Sequence, residues 1–255
     1  MPIDAPFITM ERASYTYGDA PPVVRDVDWI IPTGEFHSLV GRSGCGKTTL
    51  LKLAAGLLSP TSGAVHIGGV LVDAPSRHVG FVFQTPSLLE WLTVLENVLL
   101  PISLARGVTR TDRELAMELL ERVGIDQHAV RYPRQLSGGQ QSRAALARAL
   151  VTSPPALLMD EPFAALDAIT REELQDDLLR LTKLRNSTVL FVTHDIAEAV
   201  YLSDHVAVME DGAMSITTPI KLTGHRNADT RYDPDFNATC RKIRTAMATP
   251  ASEAA

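Results

Sequence analysis

Residues 41–49 read GRSGCGKTT, which sets Gly41, Gly46, Lys47 and Thr48 in the spacing G-x-x-x-x-G-K-[ST]. Those residue types in that order suit the phosphates of a nucleotide. Glycines let the backbone curl so that several N–H groups face one anion, a lysine reaches the β- and γ-phosphates, and a hydroxyl coordinates Mg2+. Arg42, Ser43, Gly44 and Cys45 complete the loop and Thr49 follows it, so all are candidates to line the same phosphates. A helix starting here would turn the positive end of its dipole toward the anion. Cys45 lies inside this loop, where the dipole and Lys47 are expected to lower its thiol pKa. Thiol reagents should then inhibit, and bound Mg-nucleotide should protect.

The run ALLMDEP, residues 156–162, ends an apolar stretch on Asp160 and Glu161. Next to a phosphate loop, a carboxylate at a neighbouring strand end holds Mg2+ through its water shell, a role that suits Asp160. Glu161 would then lie near the γ-phosphate and polarise an attacking water. His194 follows the apolar run STVLFVT, and Gln84 ends VGFVFQ. If both strands finish at the edge where the phosphate loop lies, both residues reach the γ-phosphate side, because open α/β sheets bind ligands along that edge. A second anion site is available at LSGGQ, residues 136–140. Ser137 can cap the helix that follows, while Gly138 and Gly139 leave its N–H groups uncovered and Gln140 closes the motif.

These groups need strands to deliver them. Residues 7–17 and 23–31 are β-rich, FHSLVG reads as a buried strand entering the phosphate loop, and TTLLKLAAGLL reads as the helix beyond it. AVHIGGVLV looks like an edge hairpin and VGFVFQ (79–84) like a further strand. From about 86 to 153 the pattern turns helical through WLTVLENVLL, TDRELAMELLERVG and QQSRAALARALV. Strands then alternate with helices again: ALLMDEP, ITREELQDDLLRLTKLR, STVLFVTHD, AEAVYLS, and a hairpin around EDG. Thr170 and Glu173 have capping-box spacing at the start of the long helix. The alternation implies a mostly parallel sheet covered on both faces, with a helical lobe inserted. After residue 220, Phe236, Cys240, Ile243 and Met247 share one helical face, which should pack on the body of the domain. The last residues, TPASEAA, read as a ragged end.

Of the 255 residues, 45% are hydrophobic and 21% charged, an ordinary globular balance, and the net charge of −6 argues against a nucleic-acid binder. No apolar run approaches the 18 or more residues of a membrane span. The N-terminus, with an early acid and no basic start before an apolar run, does not read as a secretory signal. Two distant cysteines make no disulfide framework, which fits a reducing cytoplasm.

A phosphate loop, a strand-end glutamine, LSGGQ, an apolar run ending in DE, the turn AALD and a strand-end histidine follow one another in that order. The ordered set, from about residue 7 to 220, resembles the nucleotide-binding subunit of an ATP-binding cassette (ABC) transporter. The resemblance implies an α/β P-loop NTPase core in residues 1–220, with an N-terminal antiparallel β subdomain, the inserted helical lobe, and a short extension over 221–255. It implies ATP and Mg2+ as cofactors and two such domains, most simply a homodimer, facing head to tail. Each ATP would lie between the phosphate loop of one and Ser137, Gly138 and Gly139 of the other. Tyr17 resembles the aromatic that stacks on adenine, with Tyr15 its rival. Gln84 resembles the link from Mg2+ and water to the helical lobe, Asp167 the turn residue joining the two sites, Glu161 the catalytic base and His194 the γ-phosphate switch. A separate integral-membrane permease is implied, reached at the cytoplasmic face of the inner membrane, together with an external substrate-binding protein. Trp91 and Leu92, in TPSLLEWLTVLENV, are candidates for the permease contact or for simple core. That segment resembles importers of nitrate, aliphatic sulfonates and taurine. Lipid or export cassettes and soluble ABC ATPases share the catalytic motifs and are the alternatives.

Overall fold

The computed structural model describes residues 6–222 and 226–248. In chain order, strands β1 (Pro6–Tyr15) and β2 (Val24–Pro32) pair antiparallel, and β3 (Phe36–Val40) runs into the phosphate loop and helix α1 (Lys47–Ala54). Strands β4 (Ser62–Ile67) and β5 (Val70–Leu71) return to the edge of β1, and β6 (Val79–Val82) then enters a second sheet. Helices α2 (Val94–Ala105), α3 (Arg110–Arg122) and α4 (Gly138–Leu150) form the lobe. After it come β7 (Ala156–Asp160), α5 (Ala168–Arg185), β8 (Thr188–Val192), α6 (Ile196–Leu202), the hairpin β9 (His205–Glu210) and β10 (Ala213–Pro219), and finally α7 (Pro234–Ala248).

The second sheet has the order β10-β9-β3-β8-β7-β6, parallel throughout except for β10 at one edge. Its central strands are buried at every residue because both faces are covered. Alternation sends Phe36, Val40, Leu157, Met159 and Phe191 to the face covered by the helices. Leu39, Leu158, Leu190, Val192 and Met209 go to the face shared with α1 and the antiparallel sheet. Parallel pairing also decides where the strands finish. Leu39 and Asp160 are both register partners of Val192, and Val82 is opposite Met159, so β3, β8, β7 and β6 end along one edge.

The antiparallel sheet, ordered β2-β1-β4-β5, packs its apolar side (Ile8, Met10, Val27, Ile31) against α1. In the lobe, α2 and α3 open with complete capping boxes, Thr93 with Glu96 and Thr109 with Asp112. At α5 the expected box from Thr170 and Glu173 is absent. Asp167 is the N-cap and accepts from the Thr170 backbone N–H at 3.0 Å, because a carboxylate three residues earlier meets the exposed first-turn donors. The helical face of α7 packs as expected, with Phe236 and Ile243 buried and Cys240 and Met247 partly so. The tail from 249 lies outside the described residues.

Candidate active site

The phosphate loop is shaped by two kinds of constraint. Gly46 has φ +108, and a Cβ there would meet the Val23 carbonyl oxygen at 2.5 Å; a Cβ on Gly41 would meet the Met209 carbonyl oxygen at 2.3 Å. Both positions therefore require glycine. The β9–β10 turn braces the loop from outside, the Gly212 N–H donating to the Cys45 carbonyl at 3.0 Å. Lys47 is buried and bends back over the loop, its Nζ donating to the carbonyls of Gly41 (2.8 Å) and Arg42 (2.9 Å). A phosphate oxygen brought to this point is a better acceptor for an ammonium than a neutral carbonyl.

Thr48 and Asp160 meet across the edge, Oγ1 donating to Oδ1 at 3.1 Å. Asp160 is 5% exposed. Burial pushes its carboxyl above the usual range, with Glu161 adding to the rise, and Lys52 and Lys47 pulling the other way. A hydroxyl beside a desolvated carboxylate is a hard-oxygen set that fits Mg2+. Glu161 leaves the strand with φ +45, in the left-handed region, while its N–H stays bonded to the Val192 carbonyl at 2.9 Å. That turn aims its carboxylate along the edge, where Oε2 lies 3.0 Å from His194 Nδ1. Both residues line a shallow polar cleft with Arg171, Thr193 and Glu198.

Other candidates sit apart. Tyr17 is 45% exposed beside α1, its hydroxyl 3.5 Å from Thr49 Oγ1, whereas Tyr15 packs toward the core and meets the Tyr17 ring edge-on at 4.7 Å. The strand ends at Val82, so Gln84 stands in the exposed loop beyond it. Ser137 caps α4 by accepting from the Gln140 N–H, and Gln140 accepts in return from the Ser137 N–H at 3.0 Å. Gly138 borders open space. Among the described residues no hydrogen bond joins this motif to the phosphate loop.

Residues 24–164 match the family profile described as ABC transporter. The chain is 42% identical to the aliphatic sulfonates import ATP-binding protein SsuB of Bacillus subtilis, over 91% of this chain and 90% of that protein. It is 45% identical to the taurine import ATP-binding protein TauB of Chromobacterium violaceum, over 91% and 92%. A solved dimer of an ATP-binding cassette in a post-hydrolysis state, bound to ADP and Pi, superposes with a TM-score of 0.78 at 34% identity, covering 84% of this chain and 99% of that one.

The chain belongs to the ABC transporter family.

As an ABC ATPase it has braces that no motif discloses. Asn97 of α2 is fully buried among apolar side chains and pins residues 89–93: its Oδ1 accepts from the Leu89 N–H at 2.7 Å, and its Nδ2 donates to the carbonyls of Leu89, Leu92 and Thr93 at 3.0–3.1 Å. Arg148 of α4, the helix that begins at Ser137, donates to the carbonyls of Pro86 and Ser87 at 2.8 Å. The LSGGQ helix and the segment after Gln84 are thus clamped together. An asparagine inside an apolar helix was the available signal for the first brace; the second had none.

One open alternative is decided and one expectation is corrected. Of the two readings left open for Trp91, simple core does not hold: it is 72% exposed, ahead of a helix that starts only at Val94. The Cys45 thiol is not acidified. Burial raises its pKa, and this outweighs the opposing pull of Lys47 because the sulfur is sealed beneath the loop.

Proposed function

We propose that this chain is the ATP-hydrolysing subunit of an importer for a small anion of the sulfonate or taurine kind, working as one of a pair of cassettes against a membrane permease. The convergence of Lys47, Thr48, Asp160, Glu161 and His194 on one sheet edge carries the reading. Relatives named as import ATP-binding proteins support its transport side. No helix among the described residues is long and apolar enough to cross a membrane, which agrees with a permease on a separate chain.

In this reading the N–H groups of residues 41–48 and Lys47 hold the phosphates, Tyr17 stacks on the base, and Thr48, Asp160 and Gln84 hold Mg2+, which when bound neutralises charge on the β- and γ-oxygens. Glu161 accepts the proton of the attacking water. His194 Nδ1, 3.0 Å from Oε2, orients that carboxylate and senses the γ-phosphate. Ser137, Gly138, Gly139 and Gln140 offer capped helix N–H groups to the nucleotide held by the partner cassette, and Asp167 joins the two sites. ATP preference for the closed pair shifts the population toward it, and hydrolysis releases it. Exposed Trp91, on the loop pinned by Asn97 and Arg148, delivers the motion to the permease at the cytoplasmic face.

The test uses tagged Glu161→Gln protein trapped with ATP in solubilised membranes of its own cell. ATP should bind while phosphate release falls about 10²–10⁴-fold, the usual worth of a general base, and a multi-span permease should be recovered. Wild-type turnover would remove Glu161 as the base. Recovery of soluble partners alone would overturn the transport reading.

A further inference from the structure

At the opposite end of β3 and β9 from the nucleotide edge, three side chains of metal-binding type meet. Glu35 precedes β3, His37 is its second residue, and His205 opens β9 as the register partner of His37. His37 Nε2 lies 2.7 Å and His205 Nδ1 3.2 Å from one oxygen, Glu35 Oε2. The imidazole centroids are 4.7 Å apart, and the three ligating atoms all fall within 4.8 Å of one another. His37 is 3% exposed, while Glu35 and His205 are partly open, so an ion has a path in.

A simple ion pair explains this cluster poorly. One carboxylate faces two imidazoles, and only His37 is hydrogen-bonded to it. His205 Nδ1 is buried and close to Glu35, yet makes no hydrogen bond. His37 Nε2 is hydrogen-bonded to Glu35 Oε2 at 2.7 Å, a bond that an entering ion would replace, whereas His205 Nδ1 has no bond to give up.

We propose that Glu35, His37 and His205 bind a divalent transition ion of the zinc class, with solvent completing a tetrahedron. Zinc–nitrogen and zinc–oxygen bonds of about 2.0–2.2 Å put neighbouring tetrahedral ligands roughly 3.3 Å apart. The spread here, from 2.7 Å up to at most 4.8 Å, brackets that value, so small side-chain rotations suffice. Imidazoles select zinc, copper or nickel over Mg2+, so the ion that serves ATP does not compete. The bound ion ties the first residues of two neighbouring strands whose far ends support the phosphate loop.

The test takes chelator-stripped full-length protein without nucleotide. Zn2+ is titrated against a chromophoric chelator, and Co2+ absorption reports the ligands. One equivalent should bind, Tm should rise by roughly 5–10 °C at a hundredfold excess over Kd, and Glu35→Gln and His205→Gln should each weaken binding at least tenfold with ATPase activity unchanged. The idea fails if the wild type binds no stoichiometric zinc, if both variants bind as tightly as wild type, or if only Cys45→Ser or His194→Ala loses the ion. Should the variants misfold, the wild-type Co2+ spectrum decides alone: tetrahedral bands without thiolate charge transfer support the site, and a thiolate band or no tetrahedral band overturns it.

Discussion

Replacing Asp160 by asparagine separates what this carboxylate does for the nucleotide from what it does to the fold. The side chain is buried and repelled by Glu161, and in the nucleotide-free protein its pKa is raised, chiefly by burial, against the lowering effect of the hydrogen bond from Thr48 Oγ1 at 3.1 Å. The unfolded chain releases this proton at the ordinary value of about 3.9. Between there and the raised folded value the native state holds more protons than the unfolded one, so stability falls as pH rises through that window, and above it the full penalty remains. The Asp160→Asn variant keeps the shape and loses the penalty. Without nucleotide it should be at least as stable as wild type, with a flatter stability profile from about pH 4 upward. Mg-ATP should reverse the order. At a hundred times Kd, ligand stabilises wild type by about 2.7 kcal/mol, a rise of roughly 5–10 °C for a chain of this size. The variant should lose the part that depends on Mg2+. Thermal melts from pH 4 to 8, without nucleotide, with ATP plus chelator and with Mg-ATP, measure both arms. A nucleotide-free variant melting several degrees below wild type, or one keeping the full Mg-dependent rise, would refute the reasoning.

Burial of Cys45 leads us to expect slow labelling of the nucleotide-free protein by thiol reagents, accelerating with pH beyond the ordinary thiol range, and slower still with Mg-ATP; fast labelling at neutral pH by mass spectrometry would contradict this. Trp91→Ala removes an exposed ring, so stability should change by less than about 0.5 kcal/mol and the basal ATPase should hold, while transport by the assembled complex drops. Equal transport would end its contact role. Asn97→Ala leaves the Leu89 N–H and the Leu92 carbonyl without the partner Asn97 gave them, at about 1–3 kcal/mol for an unsatisfied group, and should lower Tm while also impairing coupling. Ile243 is 1% exposed, so Ile243→Ala should cost about 2–5 kcal/mol, seen as a lower denaturation midpoint, if α7 is part of the folded body.

Much of the machinery is local and therefore legible in the residues. GRSGCGKT needs only its own glycines and the following helix to make a phosphate cradle, and a buried apolar run such as ALLMD identifies a strand whose last residue emerges at an edge. Ser137 as a cap and the packed face of α7 followed from short-range periodicity alone. The helix start at Asp167 was misread because Thr170 and Glu173 matched the same short pattern, and only the chain entering from AALD decides which residue meets the free N–H groups.

What depended on the tertiary structure is whatever is set by neighbours distant in sequence. Parallel register brings Thr48 to Asp160 and Glu161 to His194, 112 and 33 residues apart. The sign of the Cys45 shift reversed because desolvation, which no motif encodes, exceeded the pull of an adjacent lysine. Trp91 could have been core or surface until the lobe was packed, and Arg148 had no reason to be noticed until α4 lay against Pro86 and Ser87. Glu35, His37 and His205 are unremarkable in sequence, and β3 and β9 become neighbours only when the sheet closes around them. Spacing along the chain determines local backbone geometry; burial, charge and the meeting of distant groups are properties of the packed whole.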